Sequence, residues 1–572
     1  MRGFLRITKL LLGMTFRKNL PGKRGGKMTL TGCVIAAAII SSFIAVALGL
    51  LGYFTRGLGF ETAMTGMLLA VDFLLTLVFG TVAVMSQMYF SRDGEFFISL
   101  PVSGNTVLFA KLFVVYVEEA IVSAVLMLPG AIVFGIVAAQ SAAYYVMALV
   151  AVAFVPLAAV LLAAIISVPL TFVAGFFRNR GAVAGVLMLV LFAAVMTLYM
   201  VFANVFAPSV AGDAVTDPEQ ALAAVRQTLE HTLYVFYPLL ALARFGTLSG
   251  GLIADNVAAS AAVDLAIFFG SVVLLAAVLL PISALMYGRA MLRQSEHCGG
   301  AVKKGEYVSS GLLGSLVKKE FRMLLRNASF SFQCLAGCVL APLMSIFMIV
   351  MGGIESAEVN VAGQTIETDL TMIFAIMWPC AVFMVLLMTA GMNISALTAI
   401  TREGKTFVYS KLIPVPYRTQ LMAKRISAIV PAGISALVSL VGISVTGGFV
   451  LGVVDPLAII SALLLFAAAI LCSTEFYLYR DLKKPRLDWN TPRDAVKNNP
   501  ATILPMLAGM GVSMLCGVAL VLSGILLYMA GWEMNGISLV SVLLAAALVG
   551  LFFVANTRMS LNCEKHYDSL YI

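Results

Sequence analysis

Little in this sequence is arranged for covalent chemistry. The three histidines, His231, His297 and His566, are far apart, and no HExxH pair of the kind that holds zinc occurs. None of the eight cysteines belongs to a CxxC pair, and most lie inside apolar runs, where a thiol packs as a small apolar residue. Gly404-Lys405-Thr406 ends like a phosphate loop, but the glycine required five positions earlier is Ala399. The chain is therefore expected to be no enzyme and to bind neither metal nor cofactor itself. The residues that could do chemistry are four acids inside apolar runs: Asp72, Glu118, Glu119 and Asp264. A charge at the centre of a bilayer costs at least ~2.5–3.5 kcal/mol. These acids should face a bundle interior, a wet cavity or a basic partner. They form a candidate polar substrate path or proton relay, or else serve as structural hydrogen-bonding groups. The matching positions of the second half are apolar, with Val382 standing for Asp72.

The elements that must position these acids are membrane spans. Of 572 residues, 61% are apolar and 11% charged, against roughly 25% charged in a soluble domain. Mean hydropathy is +1.02. A water-soluble fold of this size could not hide so much apolar surface. Apolar runs place twelve spans near 28–54, 62–90, 106–137, 141–176, 182–207, 258–287, 331–353, 369–400, 418–451, 457–479, 501–530 and 537–557. The first run is too long for a cleaved signal core and is kept as a span. With the N-terminus inside, 34 of the 37 basic residues fall in cytoplasmic segments, leaving Arg56, Arg226 and Arg244 outside. That split agrees with the positive-inside rule and puts both termini in the cytoplasm. It also accounts for the net charge of +9 without a nucleic-acid partner.

The chain repeats itself. Ser91-Arg92-Asp93-Gly94-Glu95 resembles Thr401-Arg402-Glu403-Gly404-Lys405 at an offset of 310, and Ala110-Lys111 resembles Ala423-Lys424 at 313. Pro101-Val102-Ser103 and Pro414-Val415-Pro416 also stand 313 apart, and Lys9 and Arg17 match Lys318 and Arg326 at 309. The expected architecture is an all-α polytopic membrane protein of about twelve helices, built as two parallel six-helix repeats. The halves are 1–290 and 312–572, joined by a linker at 291–311. Each opens with a basic amphipathic helix, at 4–20 and 312–328, expected to lie in the membrane interface with its cations toward lipid headgroups. In the second of these, Leu313, Val317, Phe321 and Leu324 form the apolar face, and Ser315, Lys319, Arg322 and Arg326 the polar one.

Loops 91–105 and 401–417 each read as a polar glycine turn, a short amphipathic piece and a proline break. Phe96, Phe97, Ile98 and Leu100 in the first, and Phe407, Val408, Tyr409, Leu412 and Ile413 in the second, are apolar yet sit outside any span, which suits docking into a partner's groove or contact with the lipid interface. With Arg92-Asp93-Gly94-Glu95 before Leu100-Pro101-Val102-Ser103, and Arg402-Glu403-Gly404-Lys405 before Ile413-Pro414-Val415-Pro416, the chain resembles the permease subunits of ABC-2 type ABC transporters. The stretch from Asp481 to Trp489 looks like a loop of the large fused bacterial permeases of that kind, whereas its first-half counterpart, Arg178-Asn179-Arg180, is much shorter.

The resemblance implies an exporter permease in a bacterial plasma (inner) membrane, in contact with lipid. ATP and Mg would be handled by a separate ABC ATPase subunit, usually a dimer. The ATPase-docking residues it implies are Arg92, Asp93, Gly94, Glu95, Phe96, Phe97, Leu100 and Pro101, with Arg402, Glu403, Gly404, Lys405, Phe407, Tyr409 and Pro414. The alternatives are an ion-coupled secondary transporter working through Asp72, Glu118, Glu119 or Asp264, and a membrane-embedded enzyme, which the missing catalytic constellation disfavours. Neither the substrate nor a role for segment 208–257 is legible.

The charge split generates a topology test. In a cysteine-free background, single cysteines at Ser209 and Ser356 should label from outside with an impermeant maleimide. Cysteines at Ser310 and Thr491 should label only after permeabilisation. External labelling of the second pair would overturn the orientation.

Overall fold

A computed structural model describes residues 2–19, 61–89, 102–175, 180–205, 233–248, 257–295, 311–352, 359–361, 364–366, 386–387, 389–446, 456–489, 495–496, 500–529 and 535–569, with scattered positions between 38 and 56. The protein is an all-α membrane protein, with one small antiparallel strand pair among the described residues, β1 (Val359–Val361) and β2 (Gln364–Ile366), with Val359 opposite Ile366. Ten of the twelve apolar runs coincide with long helices. Runs 28–54 and 369–400 fall mostly outside the described residues. Among the described residues seven helices are individually long and apolar enough to cross a bilayer, and one bent pair makes an eighth.

Contacts group the chain into two compact units, residues 1–180 with 201–303 and residues 181–200 with 304–572. In the first, α1 (Arg2–Asn19) is the amphipathic opening helix. It is followed by α2 (Glu61–Val84), which runs on into a π-turn at Met85–Tyr89, then α3 (Gly104–Val137) and α4 (Ala142–Gly175). Beyond α5 (Arg180–Val205), most of which belongs to the second unit, come α6 (Tyr237–Thr247) and α7 (Val257–Ser295). Ile7, Phe4 and Leu11 of α1 pack on Val107 and Ala110 of α3, so the apolar stripe of the opening helix is used within the protein. The seam between α2 and α4 is made of small residues: Leu77 meets Ala159 and Ala163, and Ala83 and Val84 meet Val160 and Ala164. Lipid gives helices no hydrophobic reason to associate, so close backbone approach through small side chains supplies the packing. Pro129 in α3, Pro156 and Pro169 in α4 and Pro281 in α7 are carried inside long helices, as bundled membrane helices allow.

The second unit begins with α8 (Leu312–Arg326), followed at 96° by α9 (Ala328–Gly352). Asn327 makes the corner. Its backbone is extended and its side-chain oxygen accepts the Ser329 N–H at 3.1 Å, satisfying a free donor at the start of α9. Next come the short α10 (Ile394–Leu397) and α11 (Phe407–Leu412), then α12 (Tyr417–Thr446), α13 (Pro456–Lys483), α14 (Pro500–Met529) and α15 (Asn535–Ser569). The core of this unit gathers Ala432, Ala436, Ala462, Leu465, Phe466 and Leu520. Phe192 of α5 packs edge-to-face on Phe332 of α9 with ring centres 5.9 Å apart, which is how residues 181–200 join this unit rather than the segments flanking them in sequence.

At the end of the eighth apolar run the backbone is held by side chains. Ser513 donates to the Leu387 carbonyl at 2.8 Å, and Tyr477 to that of Gly391. Gly391 and Gly509 approach so closely that a Cβ on Gly391 would lie 2.8 Å from the Gly509 carbonyl oxygen. Asn393 accepts the Ala396 N–H and donates to the Ala428 carbonyl, both at 3.3 Å, stopping one helix and starting the next. This anchored break delivers the chain into loop 401–417.

Candidate functional site

The loop is short and charged, and its first four residues are buried. It runs through a tight 3-10 turn, Thr401–Thr406, in which Gly404 has φ +51°. A side chain there would be strained, and its Cβ would meet the Trp489 ring at 2.9 Å, so the turn demands glycine twice over. The α11 turn follows. Pro414 and Pro416, which have no N–H to continue a helix, separate it from α12.

A buried ion-pair cluster fixes this loop. The Lys424 amine, one turn beyond the start of α12's apolar stretch, is fully enclosed. It donates to Glu320 Oε1 of α8 at 2.8 Å, to Glu403 Oε1 at 2.6 Å and to the Ala399 carbonyl at 3.1 Å. Lys319 of α8 donates to the same Glu403 oxygen at 2.8 Å and to Ser410 Oγ at 3.1 Å, and Ser410 donates to Glu403 Oε2 at 2.7 Å. Two lysines and two carboxylates make a neutral set, and the three donors of the Lys424 ammonium are all used. That is the condition under which a buried charge is tolerated. Burial alone would raise the Glu403 carboxyl, but Lys424 and Lys319 beside it hold it down to about 2.

A second set of bonds holds the other side of the turn. Asp481 of α13 accepts the N–H groups of Ile400 at 2.6 Å and Thr401 at 3.0 Å, together with the Thr401 hydroxyl. Trp489 donates its indole N–H to the Thr401 carbonyl at 2.6 Å and stacks edge-on against Phe330. Arg402 is buried, with Nη1 donating to Ser395 Oγ at 3.2 Å and to Cys334 Sγ at 3.6 Å.

Several expected roles change in consequence. Arg402, Glu403 and Gly404 were expected to face an ATPase; they are buried and hold the loop to its own chain. Phe407 was expected to present an apolar docking surface, but it is 0% exposed, packed between Leu421, Leu478 and Tyr567. Lys319 was placed toward lipid headgroups and instead bonds Glu403. The reason is common to all: once Lys424 is buried, its counter-charges must be buried with it. Exposed on this loop are Lys405, Val408, Pro414, Tyr409 at 67% and Leu412 at 70%. Arg92, Asp93, Gly94, Glu95, Phe96, Phe97, Leu100 and Pro101 lie outside the described residues. Glu320, Lys424 and Asp481 are residues of this site that the sequence alone does not single out. The only signal for Lys424 was its place in the repeat, and for Asp481 its place in the Asp481–Trp489 stretch.

In the first unit, Lys111, the counterpart of Lys424, is also buried and donates to the Gln87 carbonyl at 2.9 Å. Gln87 and Ala399 are 312 apart, nearly the 313 that separates the lysines. Asp72, Glu119 and Asp264 are buried inside the unit, and Glu118 is partly buried, with Gln87 donating to it at 3.4 Å. Asp72 and Glu119 are brought close enough to act on each other electrostatically, whereas Asp264 is under the influence of Arg244. Asp72 accepts the Ser123 hydroxyl at 2.7 Å and lines a small cavity with Thr65 and Tyr144. Among the described residues no group of His, Cys, Asp and Glu could hold a metal ion.

Two outcomes follow from the cluster. Removing one partner of a buried pair costs about 3–5 kcal/mol because its counter-charges stay behind. Lys424→Met should therefore markedly lower the thermal unfolding midpoint in detergent, while Lys405→Met, on the exposed side of the same turn, should change it little. The Glu403 carboxyl lies lower in the folded protein than its ordinary 4.5. Its contribution is therefore complete above about pH 4.5 and is lost as pH falls toward 2. With Trp378 and Trp532 replaced by phenylalanine, Trp489 emission should hold steady from about pH 7 to 5 and shift to the red below about 4.5, as the turn loosens.

The comparisons with known proteins give one family. A family model described as "Membrane protein of 12 TMs" matches residues 28–556. No curated protein and no solved structure matches the chain. The matched span covers nearly the whole chain, including both runs that the described residues leave open, and the protein belongs to this family of twelve-span membrane proteins.

Proposed function

We propose that the protein is the permease of an ATP-driven exporter similar to the ABC-2 type, in which a separate ABC ATPase, a dimer, binds ATP and Mg and docks on loops 91–105 and 401–417. The observation that carries this reading is the build of loop 401–417. An exposed apolar tip, Tyr409 with Val408 and Leu412, sits on a turn tied by buried bonds to α8, α12, α13 and the Trp489 segment. A force applied at the tip reaches three long elements without first straightening a flexible loop. A secondary transporter has no mechanical need for such a part. The parallel bonds of Lys111 and Lys424 to carbonyls 312 residues apart support a duplicated chain supplying both halves. In this reading both termini lie in the cytoplasm of a bacterial inner membrane.

A second reading, ion-coupled transport, is favoured by one observation: Asp72 borders a cavity inside the bundle with no basic side chain paired to it among the described residues.

The two readings separate in one experiment. The full chain, purified from its native membrane in mild detergent, should carry a protein with a complete phosphate loop, identified by mass spectrometry, and the complex should hydrolyse ATP. Fully burying a large apolar side chain is worth ~1.5–3 kcal/mol, less the cost of binding. Tyr409→Ser with Leu412→Ser should thus weaken association roughly tenfold or more while leaving the thermal midpoint unchanged. Phe407→Ser should instead lower that midpoint, since Phe407 is core. Full association and full coupled turnover in the Tyr409/Leu412 variant would remove loop 401–417 from the transmission path.

A further inference from the structure

The cavity beside Asp72 belongs to no part of the ATPase reading. It lies among α2, α3 and α4 and has a volume of ≈ 20 Å³, room for about one water molecule. Asp72 is 4% exposed, in the middle of a span, and its Oδ2 accepts the Ser123 hydroxyl at 2.7 Å. Across the cavity Tyr144 is wholly enclosed; its hydroxyl lies near that of Thr65 but makes no hydrogen bond of acceptable geometry. Thr65, which lines the same space, directs its hydroxyl to the Glu61 carbonyl at 2.7 Å. The remaining walls are apolar, among them Leu69 and Met147.

A carboxylate and a phenol, both shut away from solvent, thus share a water-sized void. One water bridging them would give the Tyr144 hydroxyl a partner, where otherwise it would bear the cost of an unmade bond, and would offer the Asp72 carboxyl a further one. Among the described residues, the charged groups around Asp72 offer it no paired cation. Glu119 of α3 faces it with a like charge, and Glu118 is bonded by Gln87. Arg244 of α6 reaches Tyr234 at 3.4 Å and acts on Asp264 of α7. Tyr144 of α4 is flanked by Tyr145. Glu61 stands at the far end of α2. A carboxyl buried in mid-span beside an acidic neighbour, with no base paired to it among the described residues, bears its charge at a cost that one hydroxyl donor only partly offsets.

We propose that this cavity is a proton-binding site, in which Asp72 is held as a neutral carboxylic acid bridged by a single water to the Tyr144 hydroxyl, and from which the proton exchanges reversibly. The ligand is a proton with one water. The void is too small for an organic solute, and its three polar side chains are too few to enclose a dehydrated metal cation. The site stands apart from the docking of an ATPase and can be tested with or without one.

The test uses the full chain in native membrane vesicles treated with dicyclohexylcarbodiimide, an apolar reagent that attacks protonated carboxyls. The acid O–H adds across one C=N bond, its proton passing to nitrogen, and the O-acyl adduct rearranges to a stable N-acylurea that peptide mass spectrometry locates. Asp72 should be modified several-fold more at about pH 6 than at about pH 9, and Asp72→Asn should lose that adduct. Tyr144→Phe, which removes the water's second anchor without changing ring shape, should move the pH profile of Asp72 upward. An infrared carbonyl-stretch band of a protonated acid should be present in the wild type and missing in Asp72→Asn, a readout that does not depend on reagent access. Absence of that band difference, or modification of Asp72 that is equal at both pH values, would overturn the proton site. An unchanged profile in Tyr144→Phe would overturn the water bridge.

Discussion

The second unit depends on one buried ammonium group. Lys424 sits where no water reaches it, and nothing in its own helix can neutralise it. Its partners come from Glu403, in the turn before its helix, and from Glu320, on a helix 104 residues earlier in the chain. A lone buried charge costs several kcal/mol, so these three segments are placed together or not at all. The orientation of α8 follows from this. Its inward face carries Glu320 and Leu324, and Lys319 turns to the same cluster, so the helix is fixed by charge as well as by its apolar stripe. The path of loop 401–406 follows too. Glu403 must reach inward, which takes a sharp reversal, and Gly404 at positive φ against the face of Trp489 supplies it.

The first unit meets the same solvent constraint with smaller means. Lys111 is buried and bonds a backbone carbonyl, as Lys424 does, so both units use a lysine to cap the carbonyl end of a preceding helix. Cations favour such ends because the last carbonyls are unpaired and carry partial negative charge. Asp72 is handled differently. It receives a hydroxyl rather than a base, beside a void, and that is an arrangement for a group that changes its protonation rather than one that holds a permanent ion pair.

These two solutions suit two tasks. A cluster tied by this many ion pairs and hydrogen bonds makes a rigid body, and rigidity is what the proposed docking tip would need, since less entropy would be lost on binding by Tyr409 and Leu412 from a turn that is already ordered. An incompletely satisfied cavity has a place left for a small ligand. One chain thus holds a stiff element at a membrane-flanking loop and an adjustable one inside a span bundle.

The sequence by itself determined the class of the protein. Apolar runs of twenty or more residues have few outcomes besides membrane helices, because every backbone donor in lipid must be satisfied locally. The runs near 62–90, 106–137, 141–176 and 457–479 accordingly became helices within a few residues of their expected ends. The burial of Asp72, Glu119 and Asp264 was legible for the same reason, since a charge on a span has no cheap place but the inside. What the sequence could not decide was direction within the polar segments. Lys319 reads as part of the solvated face of an amphipathic helix, Arg402, Glu403 and Phe407 as an exposed loop, and nothing local marks out Glu320. Helical periodicity and loop composition are local properties, and the ammonium that draws these residues inward lies in another segment. Which polar side chain is surface and which is core was settled only when α8, the 401–406 turn, α12 and α13 met, because the cost of a buried charge is set by what stands around it in space rather than beside it in the chain.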